Sequence, residues 1–277
     1  MSTTRKVILV TGASAGIGKE FVKVLLADGH TVYGAARRVE NMMDIQQLGA
    51  KVLPLDVTND ESMVQTVQTV LTEQGRIDVL INSAGFGLNA AFEDVSMADA
   101  RYQFEVNVFG LARLSQLVLP AMRQQQAGKI INISSIAGRM PSPFAAWYHA
   151  SKHAVEAISD SMRIELQPFG IQVVLIEPGS VKSEWGGIAI DNALKHSGNG
   201  PYQDMVRGYV ATVRDMDARA SEPAVIARLV KKAIDSRRPR IRYVGGFMAK
   251  PLLLIHKLLP ARLFDALLAS QIKPKKP

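Results

Sequence analysis

The chain has 277 residues, 47% of them hydrophobic, a formal net charge of +8 and no cysteine. This length and composition suit one large buried core, so a single α/β domain over residues 1–277 is expected. The absence of cysteine excludes a disulfide framework, a thiolate metal site and a cysteine nucleophile, and no metal is expected.

Met1 to Lys6 is short and polar, without an apolar signal core, which points to a cytoplasmic location. Short apolar runs then alternate with helical segments, the pattern of βαβ units and a parallel sheet. Strands are predicted at Val7–Val10, Thr31–Ala35, Lys51–Leu55, Val79–Asn82, Lys129–Ile133 and Val173–Ile176, with an edge strand at Arg240–Val244. Helices are predicted at Gly18–Ala27, in a short piece ending near Gly49, and at Asp60–Glu73, Met97–Gln124 and Ala146–Gln167. Thr58 and Glu61 match a capping box for the helix from Asp60. Right-handed crossovers place helices on both sides of the sheet and ligand-binding loops at the carboxyl ends of its strands.

From 183 to 220 the pattern loosens around Gly186, Gly187, Gly198 and Gly200, and the segment reads as a mobile substrate lid or an ordinary surface excursion. Ser221-Glu222-Pro223 restarts a helix with a cap-like serine and a proline in the first turn. Residues 246–277 form an amphipathic extension interrupted by Pro260, too broken to span a bilayer. It can cover the cleft, join subunits or, with the terminal lysines, rest on an anionic membrane surface. The basic excess otherwise reads as solvated surface, and no nucleic-acid recognition motif accompanies it.

Tyr148 and Lys152 stand four apart, so on a helix they share a face. An ammonium beneath the phenol lowers the tyrosine pKa from about 10 and makes Tyr148 a general acid/base for a carbonyl and alcohol pair. Gly12, Gly16 and Gly18 lie between a strand and a helix, where backbone amides can approach a pyrophosphate. After the second strand, where an NAD enzyme offers a carboxylate to the ribose, stand Ala36, Arg37 and Arg38, which favours NADP over NAD. Asp56 follows the third strand, placed either to accept from the adenine amino group or to hold a turn.

These motifs, with Asn82-Ser83-Ala84-Gly85, Asn107, Ser135 and Pro178-Gly179 in this order, resemble the short-chain dehydrogenase/reductase family over most of residues 5–245. The arginine-bearing segment and Gly85-Phe86-Gly87 are similar to its NADP-preferring branch, which includes retinol and 17β-hydroxysteroid dehydrogenases. The resemblance implies a single-domain, Rossmann-like, doubly wound sheet of seven parallel strands. It further implies that Asn107 interrupts its helix and holds a water in a proton relay to Lys152. Ser135 would hydrogen-bond the substrate oxygen, Tyr148 would transfer the proton, and Lys152 would bind the nicotinamide ribose. Ser14 and Ile17 would join the glycine turn, Val57 would join Asp56, and Asn82, Ala84 and Gly85 would pass beside the adenosine ribose. Pro178, Gly179, Val181 and Ser183 would hold the nicotinamide end. Ser83 stands where the family has a second asparagine, and Ser183 where it has threonine. The choice of Ser135 over Ser134 rests on family spacing.

The expected reaction is NADP(H)-dependent interconversion of a hydrophobic carbonyl compound and its alcohol, acting on CH–OH groups. Phe86, Leu88, Met140, Phe144, Trp147, Trp185 and Met205 are the expected substrate walls, unless they pack in the core. A homodimer or homotetramer is the family's implication. The alternative reading is an NADP-binding regulatory or scaffold protein without turnover.

Overall fold

The computed structural model describes residues 5–273. The apolar runs become β1 (Val7–Thr11), β2 (Thr31–Ala36), β3 (Lys51–Pro54), β4 (Val79–Asn82), β5 (Gly128–Ile133), β6 (Ile171–Pro178) and β7 (Arg242–Gly245). They form one seven-stranded sheet of order β3-β2-β1-β4-β5-β6-β7, parallel throughout. Between them run α1 (Gly16–Ala27), α2 (Met43–Gln47), α3 (Asp60–Gln74), α4 (Met97–Phe104), α5 (Gly110–Gln125), α6 (Ala146–Leu166), α7 (Trp185–Ser197), α8 (Gln203–Ala218) and α9 (Pro223–Asp235). The chain ends in α10 (Ala249–Leu258) and α11 (Ala261–Gln271). No helix among the described residues is long and apolar enough to cross a membrane.

Successive strand side chains point to opposite faces, so a strand covered on both sides is apolar throughout. In β1, Ile8 and Val10 pack against α1 and α9, whereas Val7 and Leu9 join the core built with α3 and α5. The strand order reverses between β1 and β4, and the crevice at their carboxyl ends is the binding position such a sheet provides.

Four local expectations change. Asn59, not Thr58, caps α3: its side chain accepts from the Ser62 amide at 2.8 Å, while Thr58 is held by Asp56. Glu222, without a side-chain cap, precedes Pro223 at the start of α9, because the Ser221 backbone is engaged beside Val181. The long helix predicted from Met97 is broken by a wide π turn at Glu105–Phe109. Residues 183–220 are mostly helical, because several glycines there are packing points. A Cβ on Gly186 would stand 2.8 Å from Asp217 Oδ1, and one on Gly208 would stand 2.4 Å from the Ile272 carbonyl oxygen.

A buried polar relay joins the central strands to the helices. Asn82 Nδ2 donates to Asn132 Oδ1 at 2.9 Å and to Ser115 Oγ at 3.2 Å, and Asn132 Nδ2 donates to Ser159 Oγ on α6 at 2.8 Å. Removing a shared partner leaves buried groups unsatisfied, at about 1–3 kcal/mol each. Asn132→Ala is therefore expected to lower the unfolding free energy by about 3 kcal/mol in urea titrations; a change below about 0.5 kcal/mol contradicts this role.

Candidate active site

The cofactor end is built from glycine and from an uncapped helix. Gly12 has φ +70°, and a Cβ there would stand 2.9 Å from the Ala84 backbone; a Cβ on Gly18 would stand 2.3 Å from the Gly12 carbonyl oxygen. Thr11 Oγ1 accepts from the amides of Ser83 and Ala84, 3.0 Å each, clamping the β1 and β4 loops together. Ala15 supplies no side-chain cap to α1, and no acid lies in the first turn, so the helix amino end is suited to an anion. The Ser83 hydroxyl is buried against this turn with no hydrogen-bond partner among the described residues. A backbone cradle, an uncapped helix and a spare hydroxyl fit a dinucleotide pyrophosphate.

Arg37 and Arg38 are exposed at the end of β2. Arg37 donates to the Tyr102 hydroxyl at 2.9 Å, and Arg38 meets Glu184 at 3.4 Å, linking β2 to the segment before α7. Val57 lies under Gly110, and Ser183 lies 3.4 Å from the position of a Gly16 Cβ. The Asp56 carboxylate accepts from the Thr58 amide and hydroxyl at 2.9 and 2.8 Å, forming the turn that was the other reading of this residue. The Asn82 side chain faces the core relay, so only its backbone is placed toward the cofactor loop. Pro178 and Gly179 lie where β6 leaves the sheet, the Pro178 carbonyl accepting from Ser135 Oγ at 3.4 Å.

The π turn presents Asn107 inward. Its Nδ2 donates to the Phe86 carbonyl at 2.9 Å and to Ser151 Oγ at 3.0 Å, and its Oδ1 accepts from the Phe86 amide at 3.0 Å. All three of these bonds thus run to the loop after β4 or to α6. Gly85 lies between Asn107 and Lys152, a Cβ there standing 3.2 Å from Asn107 Oδ1 and 3.8 Å from Lys152 Nζ.

The Ser135 hydroxyl acts on the Tyr148 phenol, lowering its pKa, and its Oγ accepts from the Ala137 amide at 3.1 Å, whereas Ser134 Oγ is buried without a partner among the described residues. Lys152 Nζ donates to the Ile133 carbonyl at 2.9 Å and lies 5.8 Å from the centre of the Tyr148 ring. The simple expectation of a phenol made acidic by its neighbour is corrected for the free chain. Burial pushes the Tyr148 phenol up, with the Ser135 hydrogen bond acting in the opposite direction. Burial also lowers Lys152 to about 8, with the Glu156 carboxylate opposing it.

Glu156 belongs to a cluster that the sequence reading missed. Arg242 Nε lies 3.0 Å from Glu156 and 3.1 Å from Glu177, its Nη2 donates to Asp160 at 2.7 Å, and Arg139 reaches Glu177 at 3.3 Å. Two signals were available: Glu156 follows Lys152 at helical spacing, and Glu177 is a charge inside an apolar strand. Two carboxylates this close repel, and burial followed by Glu156 holds Glu177 above the usual carboxylate range.

Of the expected walls, Trp185 lies over Gly87, and its ring centre is 5.7 Å from that of Tyr148. Leu88 and Met140 are buried, and Phe86 packs against the Tyr102 ring. Phe144 instead packs between Tyr202 and Tyr209, because its φ of +59° turns the loop toward α8. Trp147 stacks on Phe92 on the outer side of α6, and Met205 is exposed on α8.

A family profile described as short chain dehydrogenase matches residues 6–189. A Helicobacter pylori protein, a probable short-chain type dehydrogenase/reductase, is 35% identical over 260 residues, covering 94% of this chain and 95% of its own. A 3-ketodihydrosphingosine reductase of Bacteroides thetaiotaomicron is 36% identical over 243 residues, covering 87% and 88%. The crystal structure of a short-chain dehydrogenase from Streptomyces avermitilis superposes with a TM-score of 0.81 at 32% identity, covering 96% of each chain. A serine dehydrogenase complexed with NADP+ superposes with a TM-score of 0.75 at 26% identity, covering 87% of this chain and 94% of its own.

The cluster's electrostatics give a direct prediction. Because Glu156 favours the ammonium form, Glu156→Gln moves Lys152 below its value of about 8. Titration of the labelled lysine side chain by NMR checks this, and an unmoved or raised midpoint contradicts it.

Proposed function

The chain belongs to the short-chain dehydrogenase family, and on that premise we propose that it interconverts a hydrophobic carbonyl compound and its alcohol with NADP(H). The observation that carries this reading is the convergence of Ser135, Tyr148 and Lys152 beside the glycine cradle at the carboxyl edge of the sheet. The reduced nicotinamide supplies a hydride to the carbonyl carbon when bound. The Tyr148 hydroxyl gives its proton to the carbonyl oxygen, Ser135 donates a hydrogen bond to that oxygen, and the Lys152 cation stabilises the phenolate left behind. Oxidation of the alcohol reverses these transfers. Asn107 fixes the cofactor loop against α6 and holds a water; Lys152 passes a proton to the Tyr148 phenolate and takes one back from that water, which restores both groups for the next turnover.

Arg37 and Arg38 support NADP over NAD, since the position carries two guanidinium groups and no carboxylate. Leu88, Met140 and Trp185 support an apolar substrate, in keeping with a relative named for reducing a 3-keto compound. Assembly as a homodimer or homotetramer belongs to the same reading. It is supported by an apolar hollow of about 320 Å³ lined by Met97, Phe104, Phe109 and Trp147 among others, which another copy can fill.

Tyr148→Phe is expected to keep NADPH affinity and to lower carbonyl reduction by about 10²–10⁴-fold. Fluorescence titration of NADPH and steady-state turnover across a ketone panel check the two halves. Unchanged turnover removes the acid/base assignment, and NADPH binding without turnover in the parent chain supports a scaffold instead.

A further inference from the structure

Beyond β7 the chain leaves the sheet and adds a helical hairpin, α10 and α11, joined at Leu259-Pro260. Its inner side is small, with Ala249, Phe264 and Ile272 buried. Its outer side carries Leu254, Leu258 and Leu263 at 56%, 70% and 57% exposure. Lys250, Leu254 and Leu258 follow one another at four-residue steps and share a face of α10, with Lys257 beside them. All the formal charges from 249 to 273 are exposed, and they are Lys250, Lys257, Arg262 and Lys273 against one acid, Asp265.

Leucines left in water beside basic side chains match an element that lies in a bilayer interface, where apolar groups enter the acyl boundary and cations meet phosphates. Helices of 10 and 11 residues are too short to span. The hairpin is also fastened to the lid. Thr212 Oγ1 on α8 donates to the Gln271 carbonyl at 2.8 Å, and Ile272 packs in one cluster with Val206, Tyr209, Val210 and Phe144.

We propose that the α10–α11 hairpin docks this protein on an anionic lipid bilayer surface, with Leu254, Leu258 and Leu263 inserted and Lys250, Lys257 and Arg262 on the headgroups. Charge complementarity selects this occupant over another copy of the chain, because two such basic faces repel. Docking through an element fastened to α8 brings the lid to the phase in which a hydrophobic substrate dissolves.

Co-sedimentation of the full chain with vesicles tests this independently of any turnover. Vesicles of phosphatidylglycerol mixed with phosphatidylcholine are compared with pure phosphatidylcholine. The parent chain is expected to pellet with the anionic vesicles. The triple variants Leu254→Ser/Leu258→Ser/Leu263→Ser and Lys250→Gln/Lys257→Gln/Arg262→Gln are each expected to lower the bound-to-free ratio at least about tenfold. Circular dichroism and the thermal midpoint show that each variant is folded, and single Leu258→Ser replaces the triple variant if it is not. Parent protein that stays in the supernatant overturns the proposal, as do folded variants that bind as well as the parent. A leucine variant that changes only the sedimentation coefficient in lipid-free solution, with vesicle binding intact, also overturns it and assigns the face to a second copy.

Discussion

Burying one ammonium at the edge of the sheet is the constraint on which the site depends. A lone charge moved from water into the interior costs several kcal/mol unless it is paired and hydrogen-bonded. Lys152 receives a carbonyl from Ile133 on β5 and the field of Glu156 one turn further along α6. Glu156 in turn lies with Glu177, and the pair is tolerable because Arg242 comes from β7 to lie against both. The last strand of the sheet therefore holds the electrostatics of a lysine seated on α6 beside the end of β5. With a value of about 8, Lys152 remains mostly protonated at neutral pH, the form that stabilises a phenolate.

The second requirement is position. A regular helix through Glu105–Phe109 would direct these side chains differently; the π turn brings Asn107 into contact with both the Phe86 backbone and Ser151. Strand ends, cofactor loop and α6 are thereby fixed relative to one another before any ligand arrives. Electrostatic stabilisation of a developing charge requires such fixed groups, because their reorganisation is then not part of the barrier. The segment 183–220 is held differently, through an apolar cluster around Phe144 and Tyr209, and Trp185 reaches from it toward Tyr148.

Much of this was legible because apolar runs and glycine turns are local signals. Val7–Val10 and Val79–Asn82 announce strands through composition alone, and the glycine spacing after Thr11 fixes where the sheet opens. The pairing of Tyr148 with Lys152 follows from helical geometry. What sequence did not give is what depends on distant partners. Gly186 and Gly198 signal loops locally but pack at helix contacts, and Phe144 resembles a substrate wall until its loop turns toward α8. The upward push of burial on the Tyr148 phenol in the free chain is hidden from the sequence for the same reason. Four-residue spacing shows that a cation is near, but not that its nearest acceptor is a carbonyl, nor that the phenol is half-buried.

The central claim is that this phenol, held un-ionised by burial in the free protein, becomes acidic enough for proton transfer when positive charge gathers around it. Ultraviolet difference titration of tyrosinate, subtracting a variant that lacks this tyrosine, measures it directly with and without NADP+. The account predicts a midpoint above the ordinary value of about 10 in the free protein and a clear fall when NADP+ is present. A midpoint that does not move with NADP+ bound contradicts it.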